Sequence, residues 1–196
     1  NVIIGLVAIL VTGLAIFLAI ARFQNRLEEM ATTDPLTGLN NRQVFDIALR
    51  HAVERAKRTK QPLSIIIIDL DHFKLINDRH GHLTGDEVLK SSANLLKASV
   101  RTSDIVARWG GEEFVLLMEN CSQEAALEAA DSLRRKLSES TPVNTLKALK
   151  QTASFGVATL SGNEQPEALV DRADRALYKA KHDGRNCVRA ATPTPN

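Results

Sequence analysis

The 196-residue chain is 44% hydrophobic and 24% charged, with a net charge of +2 and 4% aromatic residues, leaving room for one globular domain with a real core plus an appendage. Interspersed charges with few rings exclude the basic, base-stacking surface that binds a nucleic-acid polymer. Cys121 and Cys187 stand far apart with no metal-ligand spacing around them, which excludes a disulfide scaffold and fits a reducing compartment.

From Val2 to Ala21 the chain carries no charge, and Thr12 is its one polar side chain. About 20 apolar residues suffice to cross a bilayer core, so residues 1–21 are predicted to form a transmembrane helix. Ala19-Ile20-Ala21 resembles a signal-peptide cleavage site, but no basic segment precedes it and the apolar run is too long for that alternative. Arg22 and Arg26 follow at once, which by the positive-inside rule places the downstream residues in the cytoplasm. The chain opens on Asn1, so it is expected to be the tail of a longer membrane protein. Phe23, Leu27 and Met30 continue the seam from Ile20 at steps of three and four, predicting a helical stalk over 22–33 that could pair with a second copy or serve as a plain amphipathic linker.

Asp34-Pro35-Leu36-Thr37-Gly38-Leu39-Asn40-Asn41-Arg42 breaks the helix, because Pro35 disfavours helix at Asp34 and Gly38 with two Asn residues supplies turn chemistry. The globular domain is predicted from here to 190, with 191–196 a disordered tail. Val44, Phe45, Ala48, Leu49, Ala52 and Ala56 mark one helix, closed by a basic end. Leu63 to Ile68 is an apolar, β-branched run that reads as a strand buried on both faces and ends at Asp69. Phe73 to Arg79 reads as a short helix stopped by Gly81, and Val88, Leu89, Leu95 and Leu96 mark the next. Strands at Ile105–Ala107 and Phe114–Met118 flank Gly110-Gly111 as a hairpin, since glycine tolerates a turn's positive φ. A helix over 122–138 with Ala126, Ala129, Leu133 and Leu137 inward, a strand over 151–158, a helix marked by Leu169, Ala173, Leu177 and Ala180, and an edge strand near Cys187 complete the order. The fold class is α/β, a mostly antiparallel five-stranded sheet flanked by helices.

A carboxylate at the end of an all-apolar strand is costly unless a cation accompanies it, so Asp69 suits either a divalent metal or an interior ion pair. Glu112 and Glu113 follow the glycines and are predicted to project to opposite sides, so that at most one faces a given site. Asp69 and Glu112 are hard oxygen donors of the kind Mg²⁺ takes together with phosphates. Asp71-His72-Phe73-Lys74 opens a helix whose free N–H groups could hold phosphate, and Lys181 and Arg185 stand where they could reach terminal phosphates or cap their helix end.

These stretches, with Ile68-Asp69-Leu70-Asp71-His72-Phe73-Lys74-Leu75-Ile76-Asn77-Asp78, Gly81-His82, Gly85-Asp86, Arg108-Trp109-Gly110-Gly111-Glu112-Glu113-Phe114, Ala153-Ser154-Phe155-Gly156, Ala176-Leu177-Tyr178-Lys179-Ala180-Lys181 and Gly184-Arg185-Asn186, resemble the GGDEF family of diguanylate cyclases in its Gly-Gly-Glu-Glu-Phe variant. The resemblance runs from Asp34 to about Arg189. It implies a core like that of nucleotidyl cyclases and the polymerase palm. It also implies condensation of two GTP into cyclic di-GMP with release of two pyrophosphates, by a homodimer at the bacterial inner membrane whose catalytic domain is cytoplasmic.

The same resemblance makes Asp69, Glu112 and the Leu70 carbonyl ligands of Mg²⁺, with Mn²⁺ as a substitute, and lets Glu113 assist the metal site. It makes Glu112 also the usual candidate for proton acceptor, though a metal-bound residue is an awkward base. It assigns Asn77 and Asp86 to guanine, His82 and Phe73 to substrate, and Lys74, Lys181 and Arg185 to phosphates. Arg101-Thr102-Ser103-Asp104 matches the family's RxxD inhibitory motif, where cyclic di-GMP binds back through Arg101 and Asp104, with Arg134 or Arg135 as a loose third partner. The alternative from another class is a silent receptor domain that binds GTP or cyclic di-GMP without turnover.

Overall fold

The computed structural model describes residues 12–14, 16–17, 32–142 and 149–192. The chain divides into two compact units, residues 1–32 and 33–196. In the first, Thr12 to Leu14 and Ile16 to Phe17 are helical, with Leu14, Ile16 and Phe17 exposed. The rest of the expected span, and the stalk up to residue 31, lie outside the described residues. No helix among the described residues is long and apolar enough to cross a membrane.

The second unit runs α1 (Arg42–Thr59), β1 (Leu63–Leu70), α2 (Phe73–His80), α3 (His82–Ser99), β2 (Ile105–Gly110), β3 (Glu113–Glu119), α4 (Gln123–Glu139), β4 (Ala153–Thr159), α5 (Pro166–His182) and β5 (Val188–Ala190), the order the hydrophobic periods predict. The sheet order is β2-β3-β1-β4-β5, with β5 parallel to β4 and the other neighbours antiparallel. All eight residues of β1 are buried, because β3 and β4 flank it and helices cover both faces. Successive strand residues point to opposite faces. Accordingly Ile66, Ile68 and Leu70 pack with α2, α3 and α4, while Leu63, Ile65 and Ile67 pack with α1 and α5. Asp69 continues the second series and faces α5.

Local chemistry sets the ends. Asn41 caps α1 by accepting from the Val44 N–H at 3.0 Å, and Lys60 closes it in the left-handed region. In α4 the inward position is Ala130, fully buried, whereas Ala129 is only partly so. Of the tail predicted from 191, Ala191 is buried and donates to the Val157 carbonyl at 2.7 Å, and the Thr192 carbonyl accepts from Arg172, so the sheet edge extends to these two residues. Residues 193–196 lie outside the described residues.

Gly156 lets α5 lie directly on β4. A Cβ there would stand 2.1 Å from the Ala173 carbonyl oxygen and 2.4 Å from the Leu177 nitrogen, both backbone atoms that cannot rotate away. Gly156→Ala is expected to destabilise the domain by about 3 kcal/mol, read as a lower urea midpoint at unchanged slope.

Candidate functional site

The signature turn is tighter than the two glycines suggest. Gly110 ends β2, Gly111 takes φ +49°, and Glu112 completes the turn before Glu113 opens β3. The register slips between Arg108 and Gly110, so Trp109 sits on a bulge, with Arg42 stacked 4.1 Å from its ring centroid and Phe45 against its edge. The expected alternation of Glu112 and Glu113 along a strand is therefore corrected: Glu112 belongs to the turn, and Glu113 is the strand residue paired in register with Asp69.

The Glu112 carbonyl accepts from the Leu70 N–H at 3.3 Å, which ties the turn to the end of β1. Arg108 holds it from the other side, donating to the Gly111 carbonyl at 3.1 and 2.7 Å and to both Asp34 oxygens at 3.2 and 3.1 Å. Burial raises the Asp34 carboxyl, but the Thr37 hydroxyl and amide together with the Arg108 guanidinium bring it below its ordinary value. Neither Arg108 nor Asp34 was assigned a role from the sequence. The only local signal was that each heads a motif.

Asp69, 8% exposed, bonds Lys181 of α5 at 2.7 Å. Burial pushes its carboxyl above the usual range. Lys181 opposes the rise only in part, and Glu112 and Asp71 add to it. Glu113 is raised as well, by burial first and then by Asp69. The structure thus brings Asp69, Glu112, Glu113 and Lys181 together at one end of the sheet, an acidic centre with one cation beside it.

Lys74 and Asn77 lie on α2 and His82 and Asp86 on α3, with Gly81 alone, at φ +82°, between the two helices. Asn77 and Asp86 are half-buried, and Lys74 and His82 are exposed. Gly85 lets the two helices close: a Cβ on it would lie 1.9 Å from Asn77 Oδ1. Phe73 is 7% exposed and packs in the core, so a substrate contact there would fall to its backbone at the start of α2. Arg185 is exposed on the turn after α5, in the left-handed region at φ +63°.

Away from this centre, Arg101 and Asp104 close one turn: the Asp104 carboxylate accepts from the Arg101 N–H at 3.0 Å, and the Asp104 N–H donates to the Arg101 carbonyl at 3.0 Å. A cavity of about 390 Å³ beside them is also lined by Lys97, Leu39 and Thr33. Arg134 bonds Asp131 at 2.9 Å and Asn186 at 3.1 Å, and Arg135 bonds Asp131 at 3.3 Å. Those bonds turn Arg134 toward the loop after α5.

Residues 31–187 match the family described as diguanylate cyclase, GGDEF domain. The chain is 42% identical over 172 residues to diguanylate cyclase DgcP of Pseudomonas aeruginosa, covering 86% of this chain and 26% of that protein. It spans about a quarter to a half of the length of the curated relatives it matches. The coiled coil and GGDEF domain of DgcB from Caulobacter crescentus, solved in complex with cyclic di-GMP, superposes with a TM-score of 0.79 at 30% identity over 95% of this chain and 99% of that one. A diguanylate cyclase domain from Vibrio cholerae, described as an active GGEEF domain, superposes with a TM-score of 0.74 at 38% identity over 79% and 98%. The acidic hairpin, the five-stranded sheet and these matches agree, and the chain belongs to the GGDEF diguanylate cyclase family.

Proposed function

We propose that the chain condenses two GTP into cyclic di-GMP and two pyrophosphates as a homodimer. The observation that carries the reading is the carboxylate centre: Asp69 and Glu113 in register on adjacent strands, with Glu112 in the turn beside them. Two buried or half-buried acids raised in pKa by burial and by their neighbours leave an excess of negative charge that a hard cation relieves. No group of three acidic, His or Cys side chains among the described residues encloses a metal by itself. That donor set fits Mg²⁺, which keeps few protein ligands and completes its shell with water and phosphate oxygens. Asp69, Glu112 and the Leu70 carbonyl would hold it, and Mn²⁺ would substitute.

When bound, the cation supplies charge stabilisation at the α-phosphate and the leaving pyrophosphate and acidifies the attacking 3′-hydroxyl. Lys181, Lys74, Arg185 and the backbone N–H groups at the start of α2 orient the triphosphate. Asp86 accepts from the guanine N1–H and exocyclic amine, and Asn77 and His82 complete the base pocket. Of the two signature glutamates, Glu113 has the environment that raises basicity, which suits it to take a proton, while Glu112 would hold the metal. Each domain binds one GTP, so two copies must face each other, and the Vibrio cholerae relative supports turnover by a GGEEF turn.

The apolar run over 2–21 is the proposed bilayer anchor, with the domain on the cytoplasmic side at the inner membrane and the stalk setting the angle between copies. Sedimentation of the chain with membranes after carbonate washing tests the anchor. Arg101 and Asp104 are the proposed feedback site, in keeping with the DgcB relative solved with cyclic di-GMP. Arg101→Ala is expected to raise the concentration of cyclic di-GMP that half-inhibits the enzyme by about tenfold, and unchanged inhibition removes that site.

A linked expectation concerns pH. Asp69 and Glu113 have folded pKa values above their unfolded ones, so their charge penalty is absent below the ordinary carboxylate range and present in full above the raised values. A cation that relieves the penalty should therefore raise the Tm more at pH 7.5 than at about pH 4. Equal shifts at both pH values would place Mg²⁺ elsewhere.

The deciding experiment is mass spectrometry of products after incubating the chain, as confirmed dimers, with GTP and Mg²⁺. Cyclic di-GMP that disappears in Glu112→Ala establishes the reaction and its metal site. No product from dimers that bind GTP refutes the cyclase and leaves the receptor.

A further inference from the structure

Two residues beyond Asp69, the chain leaves β1 through a second carboxylate, which is not among the groups proposed to hold the cation. Asp71 is 5% exposed, and each of its polar groups is engaged. Oδ2 accepts from the Thr152 hydroxyl at 2.7 Å and from the Asn186 N–H at 3.0 Å, and Oδ1 accepts from the Ser154 hydroxyl at 2.7 Å. Its own N–H donates to the Thr152 carbonyl at 2.9 Å, and its carbonyl accepts from Gln151 Nε2 at 2.9 Å. No Lys or Arg is among these partners. A buried carboxylate bonded only by neutral donors makes strong, directional bonds, and here they come from separate segments.

The segment that supplies Asn186 is strained, as is His72 directly after Asp71 at φ +56°. Gly184, Arg185 and Asn186 lie in succession at φ +107°, +63° and +42°. The left-handed region is costly for Arg185, whose Cβ crowds the backbone, and only tolerated by Asn186, so bonds from outside the turn help to hold the pair. The Arg185 N–H is taken by the Ala180 carbonyl at 3.1 Å, and Arg134 donates to the Asn186 side chain at 3.1 Å. The bond from Asn186 N–H to Asp71 is the one that ties this turn to the exit of β1. On one side of it stands Arg185, just past the helix that carries Lys181. On the other begins α2, which carries Lys74 and Asn77.

We propose that Asp71 is a positioning residue for the triphosphate, holding Arg185 and Lys181 at a set spacing from the β1–α2 loop. The proposal rests on the reading of Lys181 and Arg185 as phosphate contacts. Asparagine at 71 would keep the shape but offer an amide where a hydroxyl or N–H now donates to an oxygen, so the turn would lose a charged acceptor.

Asp71→Asn and the milder Thr152→Ala, each in the full chain, test the proposal. GTP and GMP affinities are measured by calorimetry with Mg²⁺, and KM and kcat by product formation. In Asp71→Asn the GTP affinity is expected to fall about tenfold while GMP affinity, set by Asn77 and Asp86, stays near wild type, so that KM rises and kcat changes little. Thr152→Ala should move the same way by a smaller factor, and it carries the test if Asp71→Asn does not fold. Parallel weakening of GTP and GMP, or a lower Tm with an unchanged GTP-over-GMP ratio, overturns the proposal and leaves Asp71 a structural residue. A wild-type chain that binds GTP no tighter than GMP removes the phosphate reading itself, and the proposal with it. A wild-type preference that survives in the folded variants removes the proposal alone.

Discussion

Asp69→Asn is expected to lower cyclic di-GMP formation by about 10³-fold, the order of several kcal/mol that a bound cation contributes to transition-state charge. The fold should survive. Asparagine keeps the volume and relieves a carboxylate that burial, Glu112 and Asp71 all disfavour. What it loses is the 2.7 Å pair with Lys181, which is itself one-third exposed and can turn to solvent. The two terms oppose each other, so the Tm should move by a few degrees at most in either direction. The pairing in register with Glu113 gives a second handle. Glu113→Gln should cost less activity than Asp69→Asn if Glu113 assists and does not bind the metal. Product formation within about tenfold of wild type in Asp69→Asn, at saturating GTP and Mg²⁺, would move the metal away from β1.

What could be read from the sequence was whatever a local period or a short motif expresses. The β-branched run from Leu63 to Ile68 could only be a doubly covered strand, and the glycine pair between two apolar runs could only be a hairpin. Asp69, Asn77, Asp86 and the signature glutamates could be named as candidates because each sits within a contiguous motif. The pairing of Asp34 with Arg108 was not, since nothing local couples residues 74 apart. The meeting of Asp71 with Thr152, Ser154 and Asn186 was hidden for the same reason. The slip at Trp109 escaped too: a bulge adds a residue without changing composition, and it moved Glu112 out of the strand alternation. That the Phe73 side chain packs in the core was not legible either, because an aromatic at a helix start beside a phosphate motif carries no local sign of which way it faces.

Gly85→Ala is expected to raise the KM for GTP by about 10- to 100-fold while kcat at saturation changes much less. Gly85 is buried in the first turns of α3, where alanine would ordinarily favour the helix by about 1 kcal/mol. Here its Cβ would stand 1.9 Å from Asn77 Oδ1 and 3.1 Å from Phe73 Cζ. The Asn77 amide ends a rotatable side chain and can swing aside, whereas the Phe73 ring is packed in the core and has less freedom to yield. Asn77 is therefore the residue that moves, out of the proposed base pocket. The helix gain and the displaced contact offset each other in stability, so the variant should remain folded with its affinity changed. The loss should fall on GTP and GMP alike, since both carry the same base. That separates it from Asp71→Asn, where GTP alone is expected to weaken. Asn77→Ala should match Gly85→Ala in KM, and the double variant should add little, because a displaced side chain and a missing one remove the same contact. An unchanged KM in Gly85→Ala beside a raised KM in Asn77→Ala would mean that Asn77 can rotate without leaving the base, whereas an unchanged KM in both would leave the guanine contact to Asp86.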